Sequence, residues 1–588
     1  MLYGFEIIER DAAGRITKFS YNNKIIVLPN IALVIDPSKD LIPPKELKRI
    51  FKTDLIITNS YLIKKNNAIM SSIAGVGGLH NFFSFDDFII TDSGAYQAMF
   101  GGQVHAKNKD IIELQRILRP DIAVFLDVPS AELPLQGAKA AVKETLKRAK
   151  ECKKMIKADE LLSKILWAGP IQGSDHFGLL AQSARAMAKF DFDIYCIGSI
   201  VPKLLRYDYK TVADIIITAK MNLPLNKPIH AFGLGLPQAL SMFVAIGCDI
   251  FDCAAYALFA YENRYMSLEG THQLQELKEF PCSCPICSKN EPKDILALPD
   301  KERIRQLALH NLYITYAELK TIKTAIHENW LWELVQQRAR SHPNLLIALK
   351  HVFKTYRKWL MGFEPISKKS ALFWSGEETQ YRPEVLRAIE WAKKIKTKNK
   401  VKLSVFGAVP KGLLSVYPFG QSIIPGKNEA QKTGYKLTDY KSAVLHTLCY
   451  QFDNKAPKKL GAFKIEISKS TGRIRRIYDN NFRSPVGNML LGTIRSYDGL
   501  FIPSMEAAKR LGNSMKKVYI KDKEVAALVA QGSSLFAKFA EPKGFIYPGE
   551  QVAIYYKNRL IAVGEALLNS DEMRQFTRGV AVFVRDHL

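Results

Sequence analysis

Two aspartates near the ends of apolar runs are the residues of this chain best suited to chemistry. Asp92 lies in the run DFIITDS and Asp252 in the run DIFDCAAY. Paired carboxylates can work together, because one acts as a nucleophile while the other moves a proton. We therefore take Asp92 and Asp252 as the candidate catalytic pair of an enzyme.

A third aspartate, Asp249, stands three residues before Asp252. Residues three apart on a regular strand point to opposite faces. Asp252 is also nearer the C-terminal end of its run. We therefore predict a structural role for Asp249.

Three clustered cysteines indicate a metal site. The segment PCSCPICS holds Cys282, Cys284 and Cys287. Tetrahedral zinc needs a fourth ligand, for which His310, in a predicted helix, is the first candidate and His272 the competitor. Three thiolates and one imidazole leave no open position for water. We therefore predict one structural Zn²⁺ per chain and no catalytic zinc.

The elements that must position these residues alternate in type. Near-continuous apolar runs, expected of strands buried on both faces, are separated by helical patterns. Eight such runs favour an α/β chain with a (β/α)₈ TIM barrel, and the open doubly wound sheet is disfavoured because no early Gly-rich phosphate turn is found. The runs span residues 32–37, 54–60, 87–93, 122–129, 165–173, 194–201, 229–235 and 249–256.

The ends of these runs are polar or rich in glycine. A single acidic strand end is usually a helix N-cap, but several together favour a site, because the C-terminal strand ends of this barrel carry the chemistry. These ends are Asp92-Ser93-Gly94, Asp127, Gln172-Gly173, Gly198-Ser199, Gly233-Leu234-Gly235 and Asp252.

The charge of the chain favours a polyanionic partner. Its 588 residues carry 84 Lys and Arg against 57 Asp and Glu, a net charge of +27. RNA, DNA and anionic membranes are all attracted by such a field, and a solvated lysine-rich surface is the alternative. No transmembrane span and no signal peptide are expected, and the few cysteines favour a reducing cytoplasm.

The chain changes character after about residue 345. Six lysines lie in 392–403, and Arg473, Arg475, Arg476 and Arg483 form a second basic cluster. Aromatic residues near these charges in sequence suggest an RNA surface. They are Tyr417, Phe419, Tyr478 and Phe482. Short β-like runs at the C-terminal end, among them 545–556 and 560–567, predict a small β-barrel punctuated by Gly532, Gly549, Gly564 and Gly579.

The motifs of the first half resemble the tRNA-guanine transglycosylases, in the same order along the chain. The matching segments are 78–80 (GLH), 91–97 (TDSGAYQ), 172–173 (QG), 197–198 (IG), 251–253 (FDC) and 282–287 (CSCPIC), with His310. Such a match implies a catalytic TIM barrel with the zinc set named above.

Two features resemble the archaeosine-type branch of that family. Residues 255–259 read AYALF instead of a Pro-Thr-Arg segment, and the C-terminal end resembles a PUA RNA-binding domain. We expect a barrel with its zinc site over 1–345, a linker domain C1 over 346–435, an α+β domain C2 over 436–510 and the PUA domain over 511–588. Ser199, Ile200 and Leu236 depart from residues common in relatives and bear on base selectivity.

The resemblance implies the exchange of guanine 15 in the tRNA D-arm for 7-cyano-7-deazaguanine (preQ0), a step of archaeosine biosynthesis. The reaction follows a double displacement through a covalent tRNA–enzyme intermediate, like that of a retaining glycosidase. Asp252 is the expected nucleophile and Asp92 the acid/base, with the opposite assignment open. The expected base pocket holds Ser93, Asp127, Gln172, Gly198 and Ser199.

The expected partners are tRNA, guanine and preQ0, with a homodimer in the cytoplasm. Three alternatives are a queuine-type transglycosylase, an archaeal paralogue that amidates the base, and a non-catalytic tRNA-binding protein. The C-terminal domains argue against the first. The complete set of aspartates and zinc ligands argues against the second, and the presence of both Asp92 and Asp252 argues against the third.

Overall fold

The computed structural model describes residues 3–39, 41–95, 106–403, 405–424, 439–481 and 488–588. The chain divides into two compact units. The first contains residues 1–5, 14–324 and 337–349, and the second contains residues 6–13, 325–336 and 350–588.

The core of the first unit is a closed barrel of eight parallel strands. Each predicted apolar run contributes one strand, so the (β/α)₈ prediction is confirmed. The order around the barrel is β10-β11-β4-β5-β6-β7-β8-β9. The strands are β4 (Asn30–Val34), β5 (Leu55–Asn59), β6 (Phe88–Asp92), β7 (Ile122–Val124), β8 (Leu166–Ile171), β9 (Ile194–Ile197), β10 (Ile229–Ala231) and β11 (Ile250–Cys253).

Helices surround this barrel, and most of them bury apolar side chains. The predicted helices over 138–157 and 179–190 correspond to Leu135–Ala158 and Phe177–Ala188. The other helices of the barrel region are Pro44–Phe51, Ser60–Lys65, Asn67–Val76, Leu79–Phe83, Asn108–Leu118, Glu160–Ser163, Val201–Leu205, Tyr209–Lys220, Pro237–Ala245 and Ala255–Tyr261.

Further elements precede and follow the barrel. Strands β1 (Gly4–Asp11), β2 (Gly14–Tyr21) and β3 (Lys24–Leu28) precede it, and β2 pairs antiparallel with β3. After the barrel, β12 (Arg264–Met266) pairs with β13 (Thr271–Gln273). The helices that follow are Pro292–Leu296, Asp300–Glu328, Leu331–Ala339 and Pro343–Thr355.

The second unit begins its own helices and sheets after residue 350. Two-stranded sheets pair β14 (Leu372–Phe373) with β17 (Ser422–Ile423) and β15 (Lys400–Leu403) with β16 (Gly407–Pro410). A four-stranded sheet contains β18 (Phe463–Ile467), β19 (Ile474–Asp479), β20 (Leu490–Ile494) and β21 (Phe501–Pro503). The helices are Arg357–Met361, Pro383–Lys393, Tyr440–Gln451, Ala456–Leu460, Met505–Leu511, Lys523–Ala530 and Ser570–Gln575.

The predicted β-rich C-terminal end is a six-stranded sheet in the order β23-β27-β26-β25-β22-β24. Its strands are β22 (Lys516–Ile520), β23 (Leu535–Phe536), β24 (Glu541–Lys543), β25 (Gln551–Tyr556), β26 (Arg559–Ala566) and β27 (Val580–His587). Gly564 lies inside β26 and not in a turn, contrary to expectation. A Cβ atom there would collide with the carbonyl oxygen of Phe583, so glycine permits close strand packing.

The expectation of an RNA surface at Tyr417 and Phe419 is wrong. Both side chains are 1% exposed and belong to a hydrophobic core with residues such as Leu413 and Tyr450. Burying aromatic rings of this size stabilises the fold more than displaying them near a charge. The predicted Phe482 and Arg483 lie outside the described residues.

The two basic segments predicted from sequence are largely accessible. The lysines of 392–403 lie at the end of helix Pro383–Lys393, in the segment that follows this helix and in β15. Arg475 and Arg476 lie in β19 and reach Glu466, at 4.0 and 3.5 Å. Among the residues that the structure describes, no helix has the length and apolar character needed to cross a membrane. All eight cysteines are free.

Candidate active site and metal centre

Asp252 lies near the C-terminal end of β11, where two donors hold its carboxylate. Nε2 of His230, in the neighbouring strand β10, is 2.9 Å from Oδ1. The backbone N–H of Gly233 donates to the same oxygen at 2.9 Å. The side chain of Asp252 keeps 14% of its surface exposed, whereas that of His230 keeps 2%. One carboxylate oxygen is therefore fixed while the side chain still reaches solvent.

The surroundings of His230 select one tautomer. An ionised carboxylate only accepts hydrogen bonds, so Nε2 of His230 must carry the proton shared with Asp252. Nδ1 faces the Sγ atom of Cys196 at 3.9 Å. Burial raises the pKa of the Cys196 thiol well above its usual value, so the sulfur keeps its proton and donates to Nδ1. A chain of donors thus runs from Cys196 through His230 to Asp252.

Asp92 is the last residue of β6 and has a partly buried carboxyl group. Its Oδ2 atom accepts from the backbone N–H of Gly94 at 3.2 Å and from the amide of Asn59 at 3.5 Å. Burial raises the pKa of Asp92 to about 7, and the charges of Asp127 and Asp252 act in the same direction. Asp92 is therefore partly protonated near neutral pH, as a general acid/base requires.

The turn after Asp92 depends on glycine. Gly94 has φ of +83°, in the left-handed region, and a Cβ atom there would collide with the Cβ atom of Tyr61. The absence of a side chain lets the N–H of Gly94 approach the Asp92 carboxylate. This explains in physical terms why glycine follows the Asp92-Ser93 pair.

Asp127 follows β7 and is buried, and each oxygen of its carboxylate accepts a hydrogen bond. Nε2 of Gln172 donates to Oδ2 at 2.5 Å, and Oγ of Ser93 donates to Oδ1 at 3.3 Å. Burial raises the pKa of Asp127, and the hydrogen bond from Gln172 opposes this effect. Three of the residues expected in the base pocket are thus brought together.

The amide oxygen of Gln172 is fixed by two serines. Oγ of Ser199 donates to it at 2.5 Å, and the backbone N–H of Ser130 donates to it at 3.1 Å. Gln172 is 1% exposed. The amide oxygen of Gln172 therefore has its hydrogen-bond donors inside the protein. The second N–H of the amide group remains for a hydrogen bond to a ligand.

Gly198 leaves the space in which this amide sits. A Cβ atom at Gly198 would lie 2.5 Å from Nε2 of Gln172. The next residue, Ser199, has φ of +62° and points its hydroxyl at the same amide. The strand end after β9 therefore shapes the surroundings of Gln172.

Four residues of this site were not singled out by the sequence analysis: Asn59, Ser130, Cys196 and His230. His230 stands within the apolar run 229–235, and a histidine in a buried strand was itself a signal, because a buried polar side chain needs a partner. Ser130 lies three residues after Asp127 in a loop, and no pattern in the sequence distinguishes it. Tyr96 and Gln97 of the motif lie outside the described residues.

Asp249 lies away from this cluster, just before β11. Nε and Nη2 of Arg15 each approach one of its oxygens at 2.8 Å. Its Oδ2 atom also accepts from the backbone N–H of Ile229 at 2.9 Å. Asp249 is 1% exposed. This bidentate ion pair agrees with the structural role predicted for Asp249.

Four side chains after the barrel form a cluster that could hold a metal ion. The ligand atoms of Cys282, Cys284, Cys287 and His310 lie within 4.8 Å of one another. Nδ1 of His310 is 3.5 Å from Sγ of Cys284 and 3.2 Å from Sγ of Cys287. Ligands around a tetrahedral zinc lie roughly 3.3–3.8 Å apart, since each is about 2.0–2.3 Å from the ion. The spacing therefore fits that geometry.

The second nitrogen of His310 is also placed as in a metal site. Nε2 approaches the carbonyl oxygen of Met266 at 2.9 Å, which leaves Nδ1 to face the thiols. The hydrogen bond shared by Cys284 and Cys287 lowers the pKa of Cys284 and raises that of Cys287, so the first thiolate of this pair forms on Cys284. His272 is exposed and lies near Ser267, at 3.4 Å, outside the cluster. His310, not His272, is therefore the fourth member.

Comparison with known families agrees with the fold. Residues 11–344 match the family model described as queuine tRNA-ribosyltransferase. Three further models match later parts of the chain. Residues 365–429 match the C1 domain of tRNA-guanine transglycosylase dimerisation, and residues 443–518 match the patch-forming domain C2 of tRNA-guanine transglycosylase. Residues 516–588 match a PUA domain. The fold and the site define a TIM-barrel pentosyltransferase with a C-terminal PUA domain.

More specifically, the chain belongs to the tRNA-guanine transglycosylase family. It is 39% identical to the tRNA-guanine(15) transglycosylase of Pyrococcus furiosus, over 99% of this chain and 97% of the relative. It is 37% identical to the protein of the same name from Thermococcus kodakarensis and 36% identical to that from Methanocaldococcus jannaschii. Each of these two matches covers 99% of both chains.

Proposed function

We propose that this protein exchanges guanine 15 of tRNA for preQ0, with Asp252 as nucleophile and Asp92 as general acid/base. The observation that carries the assignment is the orientation of Asp252, whose Oδ1 is held by His230 and Gly233. Oδ2 accepts no hydrogen bond from the described residues, so it is the oxygen available for attack. The names of the relatives support position 15.

The first step replaces one bond to the ribose by another. Oδ2 of Asp252 attacks C1′, the bond from C1′ to the purine nitrogen breaks, and the departing guanine takes a proton from Asp92. The RNA chain stays intact and is linked to Asp252 as an ester. The raised pKa of Asp92, about 7, means that a proton is available there near neutral pH.

The second step reverses the first with a different base. The carboxylate of Asp92 takes the proton of the entering preQ0, whose nitrogen attacks C1′ and releases Asp252. The same residue therefore acts first as acid and then as base, as in a retaining glycosidase. Asp252 and Asp92 are both regenerated at the end of the cycle.

Recognition of the base is assigned to the hydrogen-bonded group around Asp127. Its carboxylate accepts from N1–H and from the 2-amino group of the purine, because each oxygen has a lone pair beyond the one used by Ser93 or Gln172. The second N–H of Gln172 and the backbone at Gly198 and Ser199 complete the proposed pocket. A base without these donors would leave buried polar groups unpaired and would bind weakly.

We propose zinc as the ion of the Cys₃His cluster. The donor set is complete without a water molecule, so the ion would stabilise the segment around Cys282, Cys284, Cys287 and His310. No step of the exchange passes through it. Binding would require deprotonated thiols, so it would release protons and weaken at low pH.

The remaining assignments concern the whole chain. We propose that tRNA is held with the help of C1, C2 and PUA domains over 346–435, 436–510 and 511–588, following the barrel domain over 1–345. A homodimer is supported by the description of the C1 model, and a cytoplasmic location by the free cysteines. Deletion of 511–588 should weaken tRNA binding and spare base binding.

An exchange assay tests this function. Unmodified tRNA is incubated with the protein and radiolabelled guanine, and unlabelled preQ0 is then added. Label should enter the D-arm at position 15 and be released by preQ0, and the Asp252→Asn variant should incorporate none. Label in the anticodon would favour a queuine-type enzyme, and failure to incorporate either base would contradict the exchange reaction.

A further inference from the structure

The helix Leu135–Ala158, on the outside of the barrel, carries a line of lysines on one face. Six exposed side chains follow one another at intervals of three or four residues, which is the spacing of one helix face. We call them the lysine stripe: Lys139, Lys143, Lys147, Lys150, Lys154 and Lys157. At 1.5 Å per residue the stripe is about 27 Å long.

The arrangement is electrostatically unfavourable for the protein alone. Like charges three or four residues apart on a helix cost about 0.2–0.5 kcal/mol per pair. Within the described ranges, Lys139, Lys143, Lys150, Lys154 and Lys157 have no carboxylate within 4.0 Å, while Lys147 approaches Glu144 at 3.5 Å. A solvated surface with ion pairs would avoid this cost, so the stripe indicates an anionic partner.

The stripe borders a groove of about 980 Å³ between two helices of the barrel. Lys107 and Lys109, at the start of helix Asn108–Leu118, add charge across the groove from Lys147, Lys150 and Lys154. The carboxylates of Glu144 and Glu151 also line the groove, but Glu144 accepts from Arg148 and Glu151 accepts from Asn108. The lysines leave the groove with an excess of positive charge, which suits an extended polyanion.

The floor of this groove is connected to the strand end that carries Asp127. Nη1 of Arg148 donates to the backbone carbonyl of Asp127 at 3.3 Å. Asn108 donates to the carbonyl of Arg148 at 3.2 Å and accepts from the N–H of Leu126 at 3.1 Å. The stripe therefore lies on the flank of the barrel beside the candidate base pocket.

The nature of the helix favours RNA over a protein or a membrane. Lysine is depleted in protein–protein interfaces. An interfacial membrane helix needs an exposed apolar face, but here the apolar face packs inward through residues such as Ala141, Val142 and Ala149. A phosphate backbone requires only a row of cations.

We propose that the lysine stripe is a docking surface for the phosphate backbone of the RNA substrate, on the barrel itself and separate from the C-terminal domains. This proposal rests on the proposed function for the identity of the RNA. The lysine stripe then contributes part of the salt-dependent affinity for tRNA.

The test measures binding of unmodified tRNA, without a base, across a range of salt concentrations. In the variant Lys143→Gln/Lys150→Gln/Lys154→Gln the slope of log K against log salt should fall by about 2–3, since each phosphate contact contributes about 0.7–0.9. The Kd at about 0.1 M salt should rise roughly tenfold. Circular dichroism checks that the helix is retained.

Two control variants test whether the loss of affinity depends on where the charge is removed and not only on how much is removed. The variant Lys45→Gln/Lys52→Gln/Lys320→Gln removes the same charge from exposed lysines of other helices and helix ends of the first unit and should change the Kd less than twofold. Substituting the three stripe residues by arginine should keep the affinity. Equal losses in the stripe and control variants, or no loss in either, would overturn the proposal.

Two other outcomes separate this proposal from its alternatives. If wild-type protein binds phosphatidylserine vesicles and the stripe variant does not, while both bind tRNA equally, the surface is a membrane site and the proposal is wrong. If tRNA binding depends on the stripe but no base is exchanged, the proposed reaction fails and the docking surface stands.

Discussion

Replacement of His230 by phenylalanine removes one donor from the proposed nucleophile without changing the shape of the site greatly. The imidazole contributes a hydrogen bond of 2.9 Å to Oδ1 of Asp252 and packs edge-to-face against Phe232, with ring centroids 4.7 Å apart. A phenyl ring keeps the packing and loses the N–H. Oδ1 then retains the N–H of Gly233 alone, and the carboxylate is free to rotate.

The size of the effect follows from the charge of the acceptor. A hydrogen bond to a charged group contributes about 1.5–3 kcal/mol. At about 1.4 kcal/mol for each factor of ten, the His230→Phe variant should form the covalent tRNA–enzyme complex about 10- to 150-fold more slowly. The KM for tRNA should be unchanged, because the His230 side chain is 2% exposed and does not meet RNA. His230 is thus a positioning residue.

The assay is single-turnover formation of the covalent complex, followed on a denaturing gel. His230→Gln is the matched control, because its amide can place an N–H near the position of Nε2, and it should recover most of the rate lost in His230→Phe. A wild-type rate in His230→Phe would refute the reasoning. So would equal losses in the two variants, because a structural defect alone predicts no rescue.

Three further predictions concern other parts of the site. Burial raises the pKa of Asp92 to about 7, so between about pH 4 and pH 7 the unfolded chain releases a proton that the folded protein keeps, and the wild type loses stability across this range. Asp92→Asn should be inactive yet about 4 kcal/mol more stable than wild type at pH 8 in urea unfolding, with the difference vanishing near pH 4. Cys284→Ser, or a strong chelator, should remove one zinc per chain by elemental analysis and lower the Tm, whereas an unchanged Tm would contradict a structural ion. Gly198→Ala should push the amide of Gln172 out of place and raise the KM for the base about tenfold, with tRNA affinity unchanged as measured by filter binding.

The barrel could be predicted from the sequence because each strand is buried on both faces. Runs such as 87–93 and 249–256 therefore read as continuous apolar segments, and the polar residues that end them fall on one side of the barrel. Asp92 and Asp252 were found for this reason. The number of residues between Asp92 and Asp252 does not predict that they lie on the same side of the molecule. The closure of eight parallel strands predicts it, because the C-terminal strand ends all lie at one end of the barrel.

The partner of Asp252 could not be predicted in the same way. His230 reaches Asp252 because β10 and β11 are neighbours with a particular register, in which His230 pairs with Ile250. Register between parallel strands joined by a helix is set by packing, and no local pattern encodes it. Ser130 meets Gln172 through a loop, which is harder still to predict.

Proximity in sequence misled the interpretation of Tyr417 and Phe419. Basic residues nearby suggested an RNA surface, but the rings point into a core, since neighbours along a chain need not share a face. Lys143, Lys147 and Lys150 show the opposite case, in which residues spaced along the chain share one face of a helix. Other residues, among them Glu144 and Leu146, separate these lysines in sequence, so they do not form a run, yet the helix brings them onto one face.

The most direct test of the proposed mechanism is to locate the covalent bond. Protein incubated with unmodified tRNA in the absence of free base is denatured, digested with nuclease and protease, and analysed by mass spectrometry. The mechanism predicts a ribose-linked nucleotide on Asp252 and none in the Asp252→Asn variant. A nucleotide attached to Asp92, or no attachment while base exchange proceeds, would contradict it.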